Sequence, residues 1–301
     1  MPHFSVIIPT YNRAGLLREA LASIAGQMFK DFETIVVDDG SSDGTETVVR
    51  SCGFGVHFLR QSNGGPGAAR SFGLLHAQGR YIAFLDSDDQ WFPWTLQLYD
   101  RAIGSNGETA FISGFGASAD EPGESYANGL DQMTMRRYHS MLEACTGRMP
   151  PVGGTPSICV QRDALLQSGG FVSKRMNGED TDLWLRLGAC PGFVRILTPP
   201  VFRQRYHAGS VTRQLEPTVV GAWHLLQQER NNAYPGGPGY SRSRRRIICG
   251  MVRSVSRECL DCGRAGEALR LYWASFLWNF QLGNWKYLVG FPLAACRRGC
   301  R

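Results

Sequence analysis

Lysine and regularly spaced cysteine are the two features that this chain of 301 residues most clearly lacks. Only Lys30, Lys174 and Lys286 are lysines among the 32 basic residues, a bias that we attribute to genome composition. The nine cysteines have no repeated spacing, which argues against a small secreted disulfide framework and favours a reducing compartment. Cys259 and Cys262 form a lone CxxC pair without a second pair, so we predict no zinc or redox site there.

Long apolar runs are missing as well. The longest apolar stretch near the C-terminus, residues 271–293, is interrupted by polar residues at 279, 281, 284 and 286, which excludes a clean membrane-spanning helix of about 20 apolar residues. Met1 leads directly into the apolar residues 4–9 without a basic leader, so we expect no signal peptide. The 43% of hydrophobic side chains excludes a mostly disordered chain and is enough for a large core.

Charge is unevenly distributed along the chain. The formal net charge is +6, yet residues 240–301 contain twelve basic and three acidic side chains and carry +9, so the residues before them carry −3. An acidic body with a basic C-terminal part argues against a protein that coats nucleic acid. We therefore expect no nucleic-acid partner, and one local anionic partner, either a membrane surface or a polymer.

Short apolar runs alternate with helical periodicity through the first 115 residues, a pattern typical of βαβ units. The predicted strands lie at 4–9, 33–37, 56–59, 80–85 and 109–113. The predicted helices lie at 14–27, 44–51 and 67–77, and the last follows a glycine-rich turn at 63–67. The predicted fold class is α/β, with a mostly parallel, Rossmann-like sheet flanked by helices.

The second half of the chain has a weaker pattern. Residues 116–155 collect glycine, serine, aspartate and proline, which predicts a long excursion that could lie over a site, with a helix at 134–144. A strand at 157–160 and helices at 162–167 and 180–187 follow. Beyond Gly239 the sequence predicts an arginine-rich helix at 242–262 and an aromatic-rich helix at 266–282. We place a domain boundary there, between 1–239 and a C-terminal helical extension, 240–301.

Polar residues follow four of the predicted strands, at 9–13, 38–41, 63–70 and 86–89. Open parallel sheets bind ligands beyond the carboxyl ends of their strands. Several carboxylates at one sheet edge favour a cation together with a ligand rich in donors, because unpaired carboxylates are costly to bury. Asp86 and Asp88 in one turn suit Mg²⁺ or Mn²⁺, although a lone pair of this kind is more often a cap or a solvated loop.

The order of these motifs produces a family resemblance over residues 4–210. The matching segments are 6–12 (VIIPTYN), 36–43 (VVDDGSSD), 68–73 (AARSFG), 81–89 and 178–180 (GED) followed by 183–186 (LWLR). With them the chain resembles the family 2 glycosyltransferases, which have the GT-A fold. The resemblance implies an inverting transfer from a nucleotide-diphosphate sugar, which we expect to be a UDP-sugar, usually with a divalent cation, Mn²⁺ or Mg²⁺. It also implies a nucleotide-binding half, 1–115, and an acceptor and base half, 116–239.

Donor-binding roles are implied for five residues of the first half. By resemblance, Pro9, Thr10 and Tyr11 would line the nucleotide. Asp39 would accept a hydrogen bond from the base, and Arg70 would lie near the base or the phosphates.

Metal-binding and catalytic roles are implied for a second set. Asp88 would hold the metal on the diphosphate, with Asp86 beside the sugar and ribose, and His207 would complete the metal or diphosphate site. Glu179 is expected in the nucleotide-sugar site. Asp180 is expected to be the general base that takes a proton from the acceptor hydroxyl, although carboxylates at a helix start also serve as caps.

Two other interpretations stay open. A phosphohydrolase of the haloacid dehalogenase type would use Asp86 and Asp88 as its nucleophile loop, but it requires this motif on the first strand and a later lysine, for which only Lys174 is available. A non-catalytic nucleotide-sugar-binding protein or partner subunit would keep the same donor residues. The segment Gln204-Arg205-Tyr206 does not match the QxxRW motif of processive synthases, which favours transfer of a single sugar.

Residues 240–301 combine apolar and basic side chains. The apolar set is Trp273, Phe276, Leu277, Trp278, Phe280, Trp285, Tyr287 and Leu288, and the basic set is Arg242, Arg244, Arg245, Arg246, Arg297, Arg298 and Arg301. This composition favours peripheral contact with an anionic membrane, and the alternative is packing on the catalytic domain or on a second subunit. We expect a cytoplasmic protein that acts on a glycan or lipid-linked acceptor, the latter at the inner face of the cell membrane.

Overall fold

The computed structural model describes residues 1–104, 109–118, 130–145, 152–205 and 214–299. The strands are β1 (Phe4–Thr10), β2 (Phe32–Asp38), β3 (His57–Arg60), β4 (Tyr81–Phe84), β5 (Gln90–Trp91), β6 (Phe111–Ser113), β7 (Gly116–Ser118), β8 (Thr134–Tyr138), β9 (Ile158–Gln161), β10 (Phe193–Thr198) and β11 (Phe202–Gln204). The helices are α1 (Ala14–Ala25), α2 (Thr45–Arg50), α3 (Pro66–His76), α4 (Thr95–Gly104), α5 (Met141–Ala144), α6 (Arg162–Gln167), α7 (Glu179–Leu187), α8 (Leu215–Arg230), α9 (Ser241–Asp261), α10 (Ala265–Gln281) and α11 (Trp285–Gly299).

The main sheet has the strand order β3-β2-β1-β4-β9-β6-β10-β8. Neighbouring strands from β3 to β4 are parallel, as are β6 and β10, whereas β9 and the edge strand β8 run antiparallel to their partners. Every residue of β1 is buried, as expected for a strand whose apolar run is covered on both faces. The predicted mostly parallel sheet flanked by helices is confirmed.

Helix α3 lies close against the central strand because of one glycine. A Cβ atom on Gly73 would lie 2.7 Å from Cγ2 of Ile7 and 3.1 Å from Cγ2 of Val37, too close for a side chain. The helix therefore approaches β1 and β2 at the distance that glycine allows. Its first turn follows β3 and the glycine-rich turn, on the side of the sheet where the polar motifs of the sequence predict the candidate site.

The predicted helix at 134–144 is wrong. Residues Thr134–Tyr138 form β8, which pairs with β10 at the sheet edge, and only Met141–Ala144 are helical. Exposure along the start of β8 alternates between neighbouring residues, the pattern of an edge strand with one covered face. The short helix begins at Ser140, whose Oγ accepts a hydrogen bond from the amide of Glu143 at 3.3 Å. Residues 119–129 and 146–151 of the predicted excursion lie outside the described residues.

A second sheet consists of three short strands in the order β5-β11-β7. Strand β5 follows the turn 86–89 directly. Strand β11 pairs with it in antiparallel register, with Arg203 opposite Gln90. Continuing this register places residue 205 opposite the acidic turn.

The helices α8 to α11 form the C-terminal part, and α9 and α10 confirm the two helices predicted there. Arg244 was predicted to attract an anionic membrane, but it is buried against a carboxylate of the protein itself. Glu229 is also buried, with 2.6 Å between Nε of Arg244 and Oε2 of Glu229. Tyr287 and Leu288 are also buried rather than exposed. The helices share one apolar cluster with the main sheet, and the boundary at residue 239 stays a prediction.

None of the helices in the described ranges combines the length and the apolarity that a membrane span requires.

Candidate active site

The end of β1 places three predicted donor residues at the carboxyl edge of the main sheet. Pro9 and Thr10 are buried, while the Tyr11 side chain is 47% exposed. The carbonyl of Thr10 accepts a hydrogen bond from the amide of Asp39 at 2.9 Å, which joins the ends of β1 and β2. The hydroxyl of Thr10 is buried without a hydrogen-bond partner among the described residues. The ring of Tyr11 is therefore accessible to a ligand at this edge, whereas the hydroxyl of Thr10 is not.

Asp39 holds the glycine-rich turn in place by accepting hydrogen bonds. Its Oδ1 accepts hydrogen bonds from Gln61 Nε2 at 2.7 Å and from the amide of Gly64 at 2.8 Å, and its Oδ2 accepts one from the amide of Gly65 at 2.8 Å. Gly65, directly before α3, has φ of +89°, a conformation that glycine adopts without strain. The structure thus shows a loop-holding role for Asp39, and its predicted contact with a base stays a prediction.

Arg70 connects the two halves of the candidate site. Its guanidinium donates to Asp86 Oδ1 at 2.6 Å and to Glu179 Oε1 at 3.0 Å, and it lies over the ring of Phe171 at 5.3 Å. Burial by itself would lower the pKa of Arg70, but the charges of Asp86 and Glu179, with a smaller effect of Asp180, raise it above its ordinary value. A permanently charged arginine therefore ties the turn after β4 to the start of α7.

The turn after β4 gathers three carboxylates. Asp86, Asp88 and Asp89 each offer an oxygen atom, and these atoms lie within 4.8 Å of one another. Burial raises the pKa of Asp86; Arg70 opposes this rise and Asp88 adds to it. Burial and the neighbouring carboxylates raise the pKa of Asp89 to about 8. This concentration of negative charge is one that a divalent cation would relieve.

The donor set fits a hard divalent cation. Three carboxylates in one turn supply only oxygen ligands, which Mg²⁺ and Mn²⁺ prefer. Asp88, the predicted metal ligand, belongs to this set. His207, the other predicted ligand, lies outside the described residues.

Sequence reasoning missed two arginines that hold this acidic turn. Arg13 Nη1 donates to Asp88 Oδ2 at 2.7 Å. Arg205 donates from Nε to the carbonyl of Asp88 at 2.6 Å and from its amide to Asp89 Oδ1 at 3.1 Å, and it also pairs with Glu19 at 2.6 Å. Arg13 directly follows the β1 motif and could have been found there. Arg205 carries no local signal, because only the pairing of β11 with β5 brings it opposite the turn.

Helix α7 begins with the predicted carboxylates Glu179 and Asp180. Gly178 precedes them with φ of +93°, and a Cβ atom there would lie 2.8 Å from Cε of Met251, so the chain turns tightly against α9. Burial and the charge of Asp180 raise the pKa of Glu179, while Arg70 opposes the rise. Asp180 Oδ1 accepts from the amide of Thr181 at 2.6 Å. Asp180 Oδ2 accepts no hydrogen bond within the described part of the chain.

A buried network fixes the position of α7 against α8. Asp182 accepts hydrogen bonds from Arg186 Nε at 2.9 Å and from the Tyr234 hydroxyl at 2.9 Å, and it lies 3.0 Å from Nε2 of His224. Burial by itself would raise the pKa of Asp182, but these hydrogen bonds and the charge of Arg186 lower it below 3.8. The start of α7, with Asp180, is therefore held by groups that sequence reasoning did not single out.

The chain is similar in sequence to known glycosyltransferases. Residues 5–158, just over half of the chain, match the sequence model of Glycosyl transferase family 2. A Rickettsia bellii protein named as a glycosyltransferase is 31% identical over 189 residues, which cover 62% of this chain and 26% of that protein. The GalNAc(5)-diNAcBac-PP-undecaprenol beta-1,3-glucosyltransferase of Campylobacter jejuni is 45% identical over 95 residues, which cover 30% of this chain and 31% of that protein. The match thus spans less than a third of either relative's length.

Solved structures confirm the fold. Staphylococcus aureus TarS 1–349, solved in complex with UDP-GlcNAc, superposes with a TM-score of 0.60 at 18% identity and covers 93% of this chain and 92% of that chain. The mannosyltransferase PcManGT of Pyrobaculum calidifontis, solved with GDP-Man and Mn²⁺, has a TM-score of 0.56 at 19% identity and covers 99% of this chain and 86% of that chain. The shared architecture is the predicted GT-A fold with a helical C-terminal part.

Proposed function

Because the chain belongs to glycosyl transferase family 2, we propose that it moves one sugar from a nucleotide-diphosphate sugar, a UDP-sugar, to a hydroxyl group of a glycan or lipid-linked acceptor. The observation that carries this proposal is the double contact of Arg70. By binding Asp86 and Glu179 together, it holds the acidic turn of the donor side next to the helix that begins with the base. The exposed ring of Tyr11 supplies a further ligand contact.

Asp180 is the proposed general base. Its Oδ1 is held by Thr181, which leaves Oδ2 to take the proton of the acceptor hydroxyl. As that proton leaves, the acceptor oxygen forms a bond to the anomeric carbon and the bond from that carbon to the diphosphate oxygen breaks. Attack from the face opposite the leaving group inverts the configuration in one displacement.

A divalent cation is the proposed cofactor. Asp88, with Asp86 and Asp89, would hold Mn²⁺ or Mg²⁺, and His207 is a further proposed ligand. A bound cation supplies charge that offsets the negative charge developing on the leaving diphosphate. Arg13 binds the side chain of Asp88 and Arg205 binds its carbonyl, and both contacts hold the turn in place.

The proposed acceptor is a saccharide carried on a lipid or in a glycan. The name of the Campylobacter jejuni relative describes action on an undecaprenol-diphosphate-linked saccharide, which supports a lipid-linked acceptor here. A cytoplasmic location, with membrane contact through residues 240–301 at the inner face of the cell membrane, belongs to the same proposal. The phosphohydrolase alternative does not fit, because Asp86 and Asp88 follow β4 and not the first strand.

Calorimetric titration with UDP-, GDP- and TDP-sugars, in Mn²⁺ and again with a chelator, tests the proposal. We expect one UDP-sugar to bind in a metal-dependent manner, and Asp88→Ala to abolish that dependence. Asp163→Ala, an exposed carboxylate at the start of α6, is the matched control and should bind normally. Equal UDP-sugar affinity of the Asp88→Ala variant in Mn²⁺ would remove Asp88 from the site. Binding without turnover for any acceptor would favour the non-catalytic alternative.

A further inference from the structure

We propose that one face of the helical pair α10–α11 docks on a membrane surface that contains anionic lipid. This inference deepens the proposed function and rests on it for the reason to approach a membrane, namely a lipid-linked acceptor. The surface, here called the apolar face, consists of seven large hydrophobic side chains, each between 37% and 70% exposed: Leu269, Trp273, Leu277, Phe280, Trp285, Val289 and Leu293.

The apolar face is one continuous surface. Its members on α10 recur at intervals of three or four residues, and so do those on α11, so each set lies along one side of its helix. The rings of Phe280 and Trp285 meet at 5.1 Å across the turn between the helices and join the two sets. The other exposed large hydrophobic side chains within the described ranges are scattered over separate elements.

Helix α11 is apolar on two sides. Its inner side is buried through Tyr287, Leu288 and Phe291, and Phe291 stacks on Tyr272 of α10 at 5.0 Å. Its outer side carries Trp285 and Val289, which belong to the apolar face. A contiguous exposed apolar surface of this kind marks an interaction site. Packing on α10 buries the inner side of α11. The outer side stays exposed, and we infer that an external partner covers it.

Charge identifies that partner as an anionic surface. Between residues 271 and 296 the sequence contains one charged side chain, Lys286, and it is exposed beside Trp285. Arg270, 76% exposed, lies one turn before Trp273. Glu267 lies 3.8 Å from Arg270, but its side chain is only 18% exposed. Exposed aromatic and aliphatic side chains flanked by the more exposed Arg270 and by Lys286 match the boundary between lipid headgroups and acyl chains. A second copy docked through the same face would instead bring like charges together.

The arginine-rich helix α9 does not provide this contact through the cluster of arginines near its start. Arg244 and Arg245 both bind Glu229, and Arg246 donates to the carbonyl of Cys145 at 2.5 Å. These three side chains therefore bind groups of the protein itself. The proposed docking therefore depends on burial of the apolar face in the membrane boundary, with Lys286 and Arg270 adding attraction to anionic headgroups.

Sedimentation with lipid vesicles tests the inference on the full chain. We expect binding to vesicles of phosphatidylglycerol and phosphatidylcholine, and a loss of at least about tenfold in partitioning for the double variant Leu277→Ser, Phe280→Ser, because partitioning scales with buried apolar area. Leu75→Ser, which removes an equally exposed leucine from α3, is the matched control and should bind like the unaltered protein. Arg242→Ser tests the exposed end of α9 and should have a small effect.

Several results would overturn the inference. The unaltered protein could fail to bind the vesicles, or the double variant could bind as well as the control. A double variant that changes sedimentation from dimer to monomer without lipid would identify a second copy as the partner instead. Calorimetric donor titration of the unaltered protein separates the two proposals, since an unaltered protein that binds a UDP-sugar but no vesicles contradicts the membrane contact alone. Vesicle binding by a protein that binds no nucleotide sugar contradicts the proposed function alone.

Discussion

Two buried arginines in this protein bind carboxylates at similar distances, yet their surroundings differ. Arg244 lies 2.6 Å from Glu229, and both side chains are at most 3% exposed. Arg70 lies 2.6 Å from Asp86, whose side chain is 28% exposed. The first pair is enclosed between α8 and α9, while the second opens at the carboxyl edge of the sheet.

The two pairs have the same chemistry and nearly the same distance, and they differ in the exposure of the carboxylate. Arg244 also donates to the carbonyls of Pro235 and Gly237, so its hydrogen-bonding capacity is used within the fold. Arg70 Nε has no hydrogen-bond partner among the described residues, and its carboxylate partners adjoin the acidic turn. Substitutions around Arg70 should therefore act mainly on ligands and turnover, and those around Arg244 mainly on stability.

The largest effect is expected for Asp180→Asn, next to the Glu179 carboxylate that Arg70 binds. Turnover should fall by about 10²–10⁴-fold because the proposed general base is lost. Donor affinity and thermal stability should stay close to those of the unaltered protein, since Asp180 makes no contact with a buried charge at hydrogen-bond distance. Steady-state kinetics measure turnover, and calorimetry measures donor affinity and thermal stability. Near-normal turnover would contradict the role of Asp180.

At the enclosed ion pair of Arg244 and Glu229, the substitution Glu229→Gln should destabilise the fold by about 3–5 kcal/mol, because it leaves Arg244 buried without a countercharge. Denaturant unfolding measures this change. Glu216→Gln is the matched control, since Glu216 also lies 2.6 Å from an arginine, Arg264, but both are exposed. Its stability should be unchanged. If the two variants unfolded alike, burial would not distinguish the pairs.

Arg70→Lys should weaken donor binding by about ten- to hundredfold, which corresponds to the loss of one charged hydrogen bond of about 1.5–3 kcal/mol. An ammonium group cannot bind Asp86 and Glu179 with the fork that a guanidinium provides. Calorimetry with the UDP-sugar measures the change, and Arg50→Lys, on an exposed pair with Glu46, serves as the control. Unchanged affinity would mean that the bridge by Arg70 is not part of the donor site.

The smallest effect is expected for Asp182→Asn, at about 1 kcal/mol near neutral pH. The lowered pKa of Asp182 means that its contribution to stability is present above its ordinary value of 3.8 and is lost as the pH falls through the lower, folded value. The unaltered protein should therefore lose its advantage over the variant in strong acid. Chemical unfolding followed against pH measures it. A difference that stays constant with pH would contradict the ionised state of Asp182.

Local pattern was enough to predict the strands β1 to β4, the turn with Asp86 and Asp88, and the start of α7. Each is encoded by a continuous segment whose apolar run or carboxylate pair needs no distant partner to be identified. The edge strand β8 was missed because its helix-compatible residues become a strand only by pairing with β10. Asp89 was read as part of a turn, and its raised pKa depends on burial that the sequence does not show.

The sequence by itself determined the alternation of strands and helices in the first half of the chain, the family, and the residues that follow the first four strands, because these are properties of neighbouring residues and their spacing. Only the tertiary structure decided which charges meet. Arg205 reaches the acidic turn through the register of β11 with β5, and Arg70 reaches Glu179 through the packing of α3 beside α7. The structure also decided which C-terminal side chains are buried, since one helix carries Tyr287 inward and Trp285 outward according to how it packs on its neighbour.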